Sequence, residues 1–205
     1  MAVKSSFKNM TLCLFAICLV CSGLLAGVYA LTKEPIELAA KAKNEAAIKE
    51  VLPDTAVSIE EERTVEMGGE TYTYNLAYDE VGNTVGCAIN VSTLGFGGPI
   101  VIKVGFNANG IIWNTKVLAQ SETPGLGAKC VEPAFAGQFR EFNTLEKKLD
   151  VKKDGGDIDA ITASTITSRA YVNGIKTAVD VFETIVATPM PLDTYTGAST
   201  NASEE

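Results

Sequence analysis

Histidine is absent from all 205 residues. That single absence excludes Ser-His-Asp triads, Cys-His nucleophile pairs, imidazole metal sites and histidine proton shuttles. Any chemistry therefore falls to carboxylates, hydroxyls, thiols or a bound cofactor. Positive charge is scarce as well: 17 Lys and Arg stand against 25 Asp and Glu, a formal net charge of -8, which argues against nucleic acid as an electrostatic partner. Acid is missing from residues 1–33, whose only charged side chains are Lys4, Lys8 and Lys33. Cysteine is too sparse for a disulfide framework. Cys18 and Cys21 have the spacing of a redox pair but sit in an apolar run, where thiols pack as small hydrophobes. Cys87 and Cys130 fall outside that run, too few for an ordinary four-cysteine iron–sulfur cluster, and whether they pair is left open. Neither Gly-x-Gly-x-x-Gly nor Gly-x4-Gly-Lys-Ser/Thr occurs, which removes the common nucleotide-binding loops.

What is present begins with Met10 to Leu31, 22 residues without a charge. As a helix they reach about 33 Å, enough to cross a hydrocarbon core. Lys4 and Lys8 on the N-terminal side place residues 1–9 in the cytoplasm and send the rest of the chain across. The rival reading is a cleaved signal peptide, for which Val28-Tyr29-Ala30 offers a cleavage site, but the apolar run exceeds the usual h-region of about 7–15 residues. The expectation is a retained anchor over 10–31 in the cell (inner) membrane.

The remainder fits one domain. Ile36, Leu38, Ala39, Ala42, Ala46, Ala47, Ile48 and Val51 recur at helical spacing up to Pro53, predicting a juxtamembrane helix over 32–53. A period of two follows. Tyr72 and Tyr74, then Val85, Cys87, Ile89 and Val91, then Ile100, Ile102, Val104 and Phe106 around Lys103, read as half-buried strands. The turn signal Asn107-Ala-Asn-Gly110 folds the last of these against residues 111–118 as a hairpin. Helical spacing returns at Ile175, Ala178, Val179, Phe182, Ile185 and Val186, an apolar stripe suited to covering a sheet. The fold class is α+β: an antiparallel sheet packed by helices over 54–188, then an acidic tail, 189–205, too poor in apolar groups to fold.

Three segments could carry chemistry. Residues 157–168 hold five hydroxyls and lead into the last helix, and a helix N-terminus suits a phosphate. An ordinary cap from Asp159 or Thr162 would look the same. The loop Ser121-Glu-Thr-Pro-Gly-Leu-Gly-Ala-Lys129 is shaped by a proline and two glycines, with Leu126 at an apex that could press on a flat ring; it could also be a plain turn. Gly95-Phe-Gly-Gly-Pro-Ile100 reads as a turn before a strand.

Taken together these segments resemble the FMN-binding domain family. Asp159-Ala-Ile-Thr-Ala-Ser-Thr165 is similar to that family's flavinylation motif, Asp-x-x-Ser/Thr-Gly-Ala-Thr/Ser, whose last residue receives FMN through a phosphoester; Ala163 stands where the motif has Gly, and Ser164 where it has Ala. Residues 122–127 resemble the second signature, and residues 95–100 its glycine-rich strand entry. The resemblance implies covalent FMN on Thr165, with Asp159, Thr162, Ser164 and Ser168 around the attachment. It implies Glu122, Thr123, Gly125, Leu126 and Gly127 against the flavin; Phe96 and Trp113 are lesser stacking candidates on their aromatic character alone, since aromatic residues in strands more often belong to the core. It further implies a flavin transferase as maturation partner and FAD as its donor. The anchored architecture resembles subunits of Rnf-type ion-translocating ferredoxin:NAD oxidoreductases, implying electron relay on the extracytoplasmic side among other membrane subunits. A stand-alone anchored flavoprotein and a flavin-free adaptor are the alternatives.

Overall fold

The computed structural model describes residues 7–187, so the acidic tail lies outside the described residues. It opens on α1, Phe7–Val51, a single helix of 45 residues. The apolar span and the expected juxtamembrane helix are therefore one element. Pro35 lies inside it and cannot donate to the carbonyl four residues back, but one missing bond in so long a helix is tolerated. An 18-residue window of α1 has mean hydropathy 2.4 and none of it is buried, so the helix is long and apolar enough to cross a membrane.

By internal contacts the chain divides into one unit up to Ala46 and a second from Ala47 onward. The second is built on an antiparallel sheet of β1 (Ser58–Ile59), β2 (Arg63–Met67), β3 (Glu70–Tyr78), β4 (Thr84–Leu94), β5 (Pro99–Asn107) and β6 (Ile112–Ala119). β3 to β6 follow one another as a meander, and both β1 and β2 pair with the outer edge of β3. The expected hairpin forms between β5 and β6: Asn107 Oδ1 accepts from the backbone N–H of Asn109 and Ile111 at 2.9 and 3.0 Å, and Gly110 takes φ +78°.

Alternation decides which side chains meet. Ile89, Val91, Ile100, Ile102, Val104 and Phe106 share one face of the sheet, which α3 (Thr165–Ala187) covers with Tyr171, Ile175, Ala178 and Val181. At Gly174 the helix lies close to the sheet, where a Cβ would stand 3.2 Å from Thr93 Cγ2. Phe182 stacks on Phe106 with ring centroids 4.8 Å apart. Val186, placed in the stripe by its spacing, is instead 68% exposed, because the helix runs past the end of the core there.

The opposite face is also covered, which the alternating pattern did not show. Ile48, Val51 and Leu52 pack on Ala77 and Ala88, and a Cβ on Gly105 would fall 1.8 Å from the Val51 carbonyl oxygen. Lys103, on this second face, is fully buried, and among the described residues its ammonium donates only a long bond, 3.4 Å, to Asn75 Oδ1. Burial pushes it down to about 8, against the opposing pull of Glu62 and Cys87.

Candidate functional site

Between the sheet's end and the start of α3 lies a cleft of about 400 Å³, lined by Phe96, Glu122, Thr123, Leu126, Gly127 and the run Ala163–Thr167. That volume falls in the range of about 300–1,000 Å³ usual for small-molecule sites. The three segments singled out in the sequence, distant along the chain, converge here.

Glu122 joins them. Its side chain is buried, Oε1 accepts from the Gly97 N–H at 3.1 Å, and Oε2 accepts from the Thr167 hydroxyl at 2.9 Å. One carboxylate thus fixes the β4–β5 turn, its own loop and the first turn of α3. Two glycines make the room. A Cβ on Gly95 would stand 2.0 Å from Glu122 Oε1, and one on Gly127 would stand 2.2 Å from Oε2 and 2.7 Å from Thr167 Oγ1. Glu122 therefore braces the cleft with both oxygens engaged inside the protein. Below it, the Cys130 thiol is pushed up to about 11, first by burial and then by the Glu122 charge. Cys87 and Cys130 are both free thiols.

The helix start is shaped by a left-handed residue. Ala163 adopts φ +60°, a conformation that glycine occupies without cost and alanine does not, which is the physical reason a glycine belongs at that motif position. The reversal lets the Ser164 N–H reach the Ile161 carbonyl at 3.0 Å, while the Ser168 hydroxyl accepts from the Ile161 N–H and donates to the Ser164 carbonyl, both at 2.9 Å. α3 begins at Thr165. The first N–H groups of a helix have no partner within it, and Ser164, Thr165, Ile166 and Thr167 all line the cleft there.

Of the residues expected at the site, Thr165, Ser164, Glu122, Thr123, Leu126, Gly127 and Phe96 come together on the cleft wall. Ser168 does not: it is fully buried and locks the turn from behind. Thr162 and Gly125 are exposed and lie off the wall, Gly125 serving its loop through φ +78°. Asp159 pairs with Lys152 at 2.7 Å outside the cleft, and its backbone is held by both atoms of the Gln138 amide. Trp113 sits on β6, away from the site. Sequence reasoning overlooked Thr167 and Ile166. Thr167 was within reach, since Ser164, Thr167, Tyr171, Ile175 and Ala178 form one buried stripe at helical spacing. The sequence offered no signal for Lys153, whose Nζ donates to Thr165 Oγ1 at 3.1 Å.

The FMN-binding domain family matches residues 95–180, a span holding all three converging segments. The RnfG N-terminal region matches residues 1–51. Among curated relatives, the G subunit of an ion-translocating oxidoreductase complex of Methanosarcina acetivorans is 33% identical over 78% of this chain and 86% of its own length. Its namesake from Shewanella piezotolerans is 36% identical over 87% and 90%. The G subunit of a Na(+)-translocating ferredoxin:NAD(+) oxidoreductase complex from Acetobacterium woodii is 32% identical over 51% and 52%. The crystal structure of the C subunit of the Na(+)-translocating NADH-quinone reductase of Parabacteroides distasonis superposes with TM-score 0.51 at 19% identity, covering 72% of this chain and 84% of that one. That likeness is one of fold.

Proposed function

The chain belongs to the RnfG family, the G subunits of ion-translocating oxidoreductase complexes, and from that premise we propose that it carries FMN esterified to Thr165 and relays electrons within such a complex. It acts between the ferredoxin-side and NAD-side subunits, anchored through α1 with the FMN domain on the extracytoplasmic side, as Lys4 and Lys8 favour. A separate flavin transferase completes it. The observation that carries this reading is the position of Thr165: the first residue of α3, half-buried on the wall of a cleft inside the FMN-binding match.

The residues present fit the group. Thr165 and the adjoining first turn of α3 would hold the phosphate, where unpaired N–H groups and the helix dipole favour negative charge. Phe96, Leu126 and Ile166, all exposed at the cleft and apolar, would flank a flat ring. The isoalloxazine supplies the redox chemistry that these side chains lack. The protein's part is to hold it, through the Glu122 brace, and to prevent its loss to the surrounding space, since a covalent tether keeps the effective concentration high. α1 carries no charged side chain from residue 9 to residue 32, so ion movement belongs to partner subunits.

Full-length protein from a host containing the transferase, run on a denaturing gel under ultraviolet light, should give a fluorescent band that vanishes in Thr165→Ala and persists in Ser164→Ala. Thr165→Ala should cost at most about 1 kcal/mol of stability, since among the described residues the hydroxyl meets only an exposed lysine. A dark band from the wild-type chain would favour the flavin-free adaptor.

A further inference from the structure

We propose that Lys153 is the counter-ion of the FMN phosphate, a positioning residue that draws the cofactor's charged end onto Thr165; this rests on the reading of Thr165 as the attachment point. Three cations crowd the approach to the α3 N-terminus, and two are neutralised. Lys152 pairs with Asp159 at 2.7 Å, and Arg169 grips both carboxylate oxygens of Asp154 at 2.7 Å each, holding that carboxyl below its usual range. Lys153, between them on the turn Lys152–Asp154, has no carboxylate within ion-pairing distance among the described residues. Its ammonium instead meets the neutral Thr165 hydroxyl at 3.1 Å.

An uncompensated cation beside a neutral oxygen forms a weak pair, but the same cation becomes strongly placed once that oxygen carries a phosphate. A phosphodiester adds two non-bridging oxygens sharing one negative charge, within reach of an ammonium already in contact with the bridging position. Ion pairs on either side keep Lys153 in register: Lys152–Asp159 ties the turn to the segment before α3, and Asp154–Arg169 ties it to α3 itself. The turn therefore presents Lys153 at a fixed place relative to Thr165. Charge and the helix dipole then act on the phosphate from two directions, the side chain from outside and the backbone from the helix end.

The test uses the full-length chain in detergent, produced in a host lacking the transferase so that Thr165 is free, and titrates it with FMN and with riboflavin, which has the same ring and no phosphate. Wild-type protein should bind FMN more tightly than riboflavin. Lys153→Gln should lower FMN affinity about three- to tenfold, the scale of an exposed charge-assisted hydrogen bond, and leave riboflavin affinity unchanged. Lys153→Arg should recover most of the loss, and raising salt should weaken FMN binding to wild type more than to Lys153→Gln. Equal losses for both ligands, or no preference for FMN in the wild-type chain, overturn the proposal. Intact mass of wild-type protein from the transferase-containing host reports separately on the covalent reading: an adduct without FMN preference sinks Lys153 alone, whereas FMN preference without an adduct sinks the ester and leaves Lys153 as a phosphate ligand.

Discussion

Ala163 holds a conformation that its own side chain resists. At φ +60° the Cβ crowds the following carbonyl, at a cost of about 1–2 kcal/mol for an L-residue, yet the strain turns the chain so that Ser164 closes on Ile161 and α3 can begin at Thr165. Ala163→Gly removes the crowding and returns part of the gain as added freedom in the unfolded chain. The net expectation is about 0.5–1 kcal/mol of added stability in denaturant unfolding of the flavin-free protein. A loss would mean that the methyl group packs usefully in the cleft. Glu122 shows how far a residue's type can be read. Its loop was visible in the sequence, but a glutamate beside two glycines suggests a ligand contact as readily as a brace. What separates the two is a pair of partners at positions 97 and 167, and sequence spacing does not encode such distant pairings.

At the scale of elements, β4, β5, β6 and the turn between the last two were legible because one face alternates and Asn-Gly marks the reversal. α3 was legible from its stripe, though that stripe first shows at Ile175 and the helix begins at Thr165. β1 and β2 were not, since two short pieces sharing one edge of β3 have too few residues for a period. The coverage of the second face escaped as well: Gly86, Ala88 and Gly105 look like weak strand residues until the end of α1 is laid against them. The junction of loop and helix at the cleft permits a graded test. Glu122→Ala strips partners from the Gly97 N–H and the Thr167 hydroxyl together, and should cost about 2–3 kcal/mol and dim the fluorescent band. Glu122→Gln should cost less than half as much, because Thr167 can turn to accept from the new amide. Equal effects of the two changes would show that charge, rather than hydrogen-bond bracing, is what the cleft requires.

For the whole molecule, the buried ammonium of Lys103 makes stability depend on pH in a recognisable direction. In the unfolded chain it titrates near 10.5; in the folded protein it is lowered to about 8. Below about pH 8 both states carry the proton and the folded state bears the full cost of burying it. Between about 8 and 10.5 the unfolded chain binds more proton, so stability rises with pH. The buried thiols oppose this: Cys87 and Cys130 are pushed up to about 12 and 11 by burial, so their contribution is present below about pH 9 and is lost as pH rises above it. Comparing wild type with Lys103→Met isolates the lysine. The variant should be more stable at pH 7 by roughly 1–3 kcal/mol, with the advantage gone by about pH 10.5. A variant less stable at neutral pH would show that the ammonium satisfies more than Asn75.

The Glu122 carboxylate closes loops of 25 residues in one direction and 45 in the other. Until the final helix has docked, no such junction exists, and a nascent or half-collapsed polypeptide offers neither a binding wall nor an ordered acceptor. On the proposed reading of Thr165, loading would thereby be reserved for molecules that have finished folding, and a misfolded copy would stay colourless.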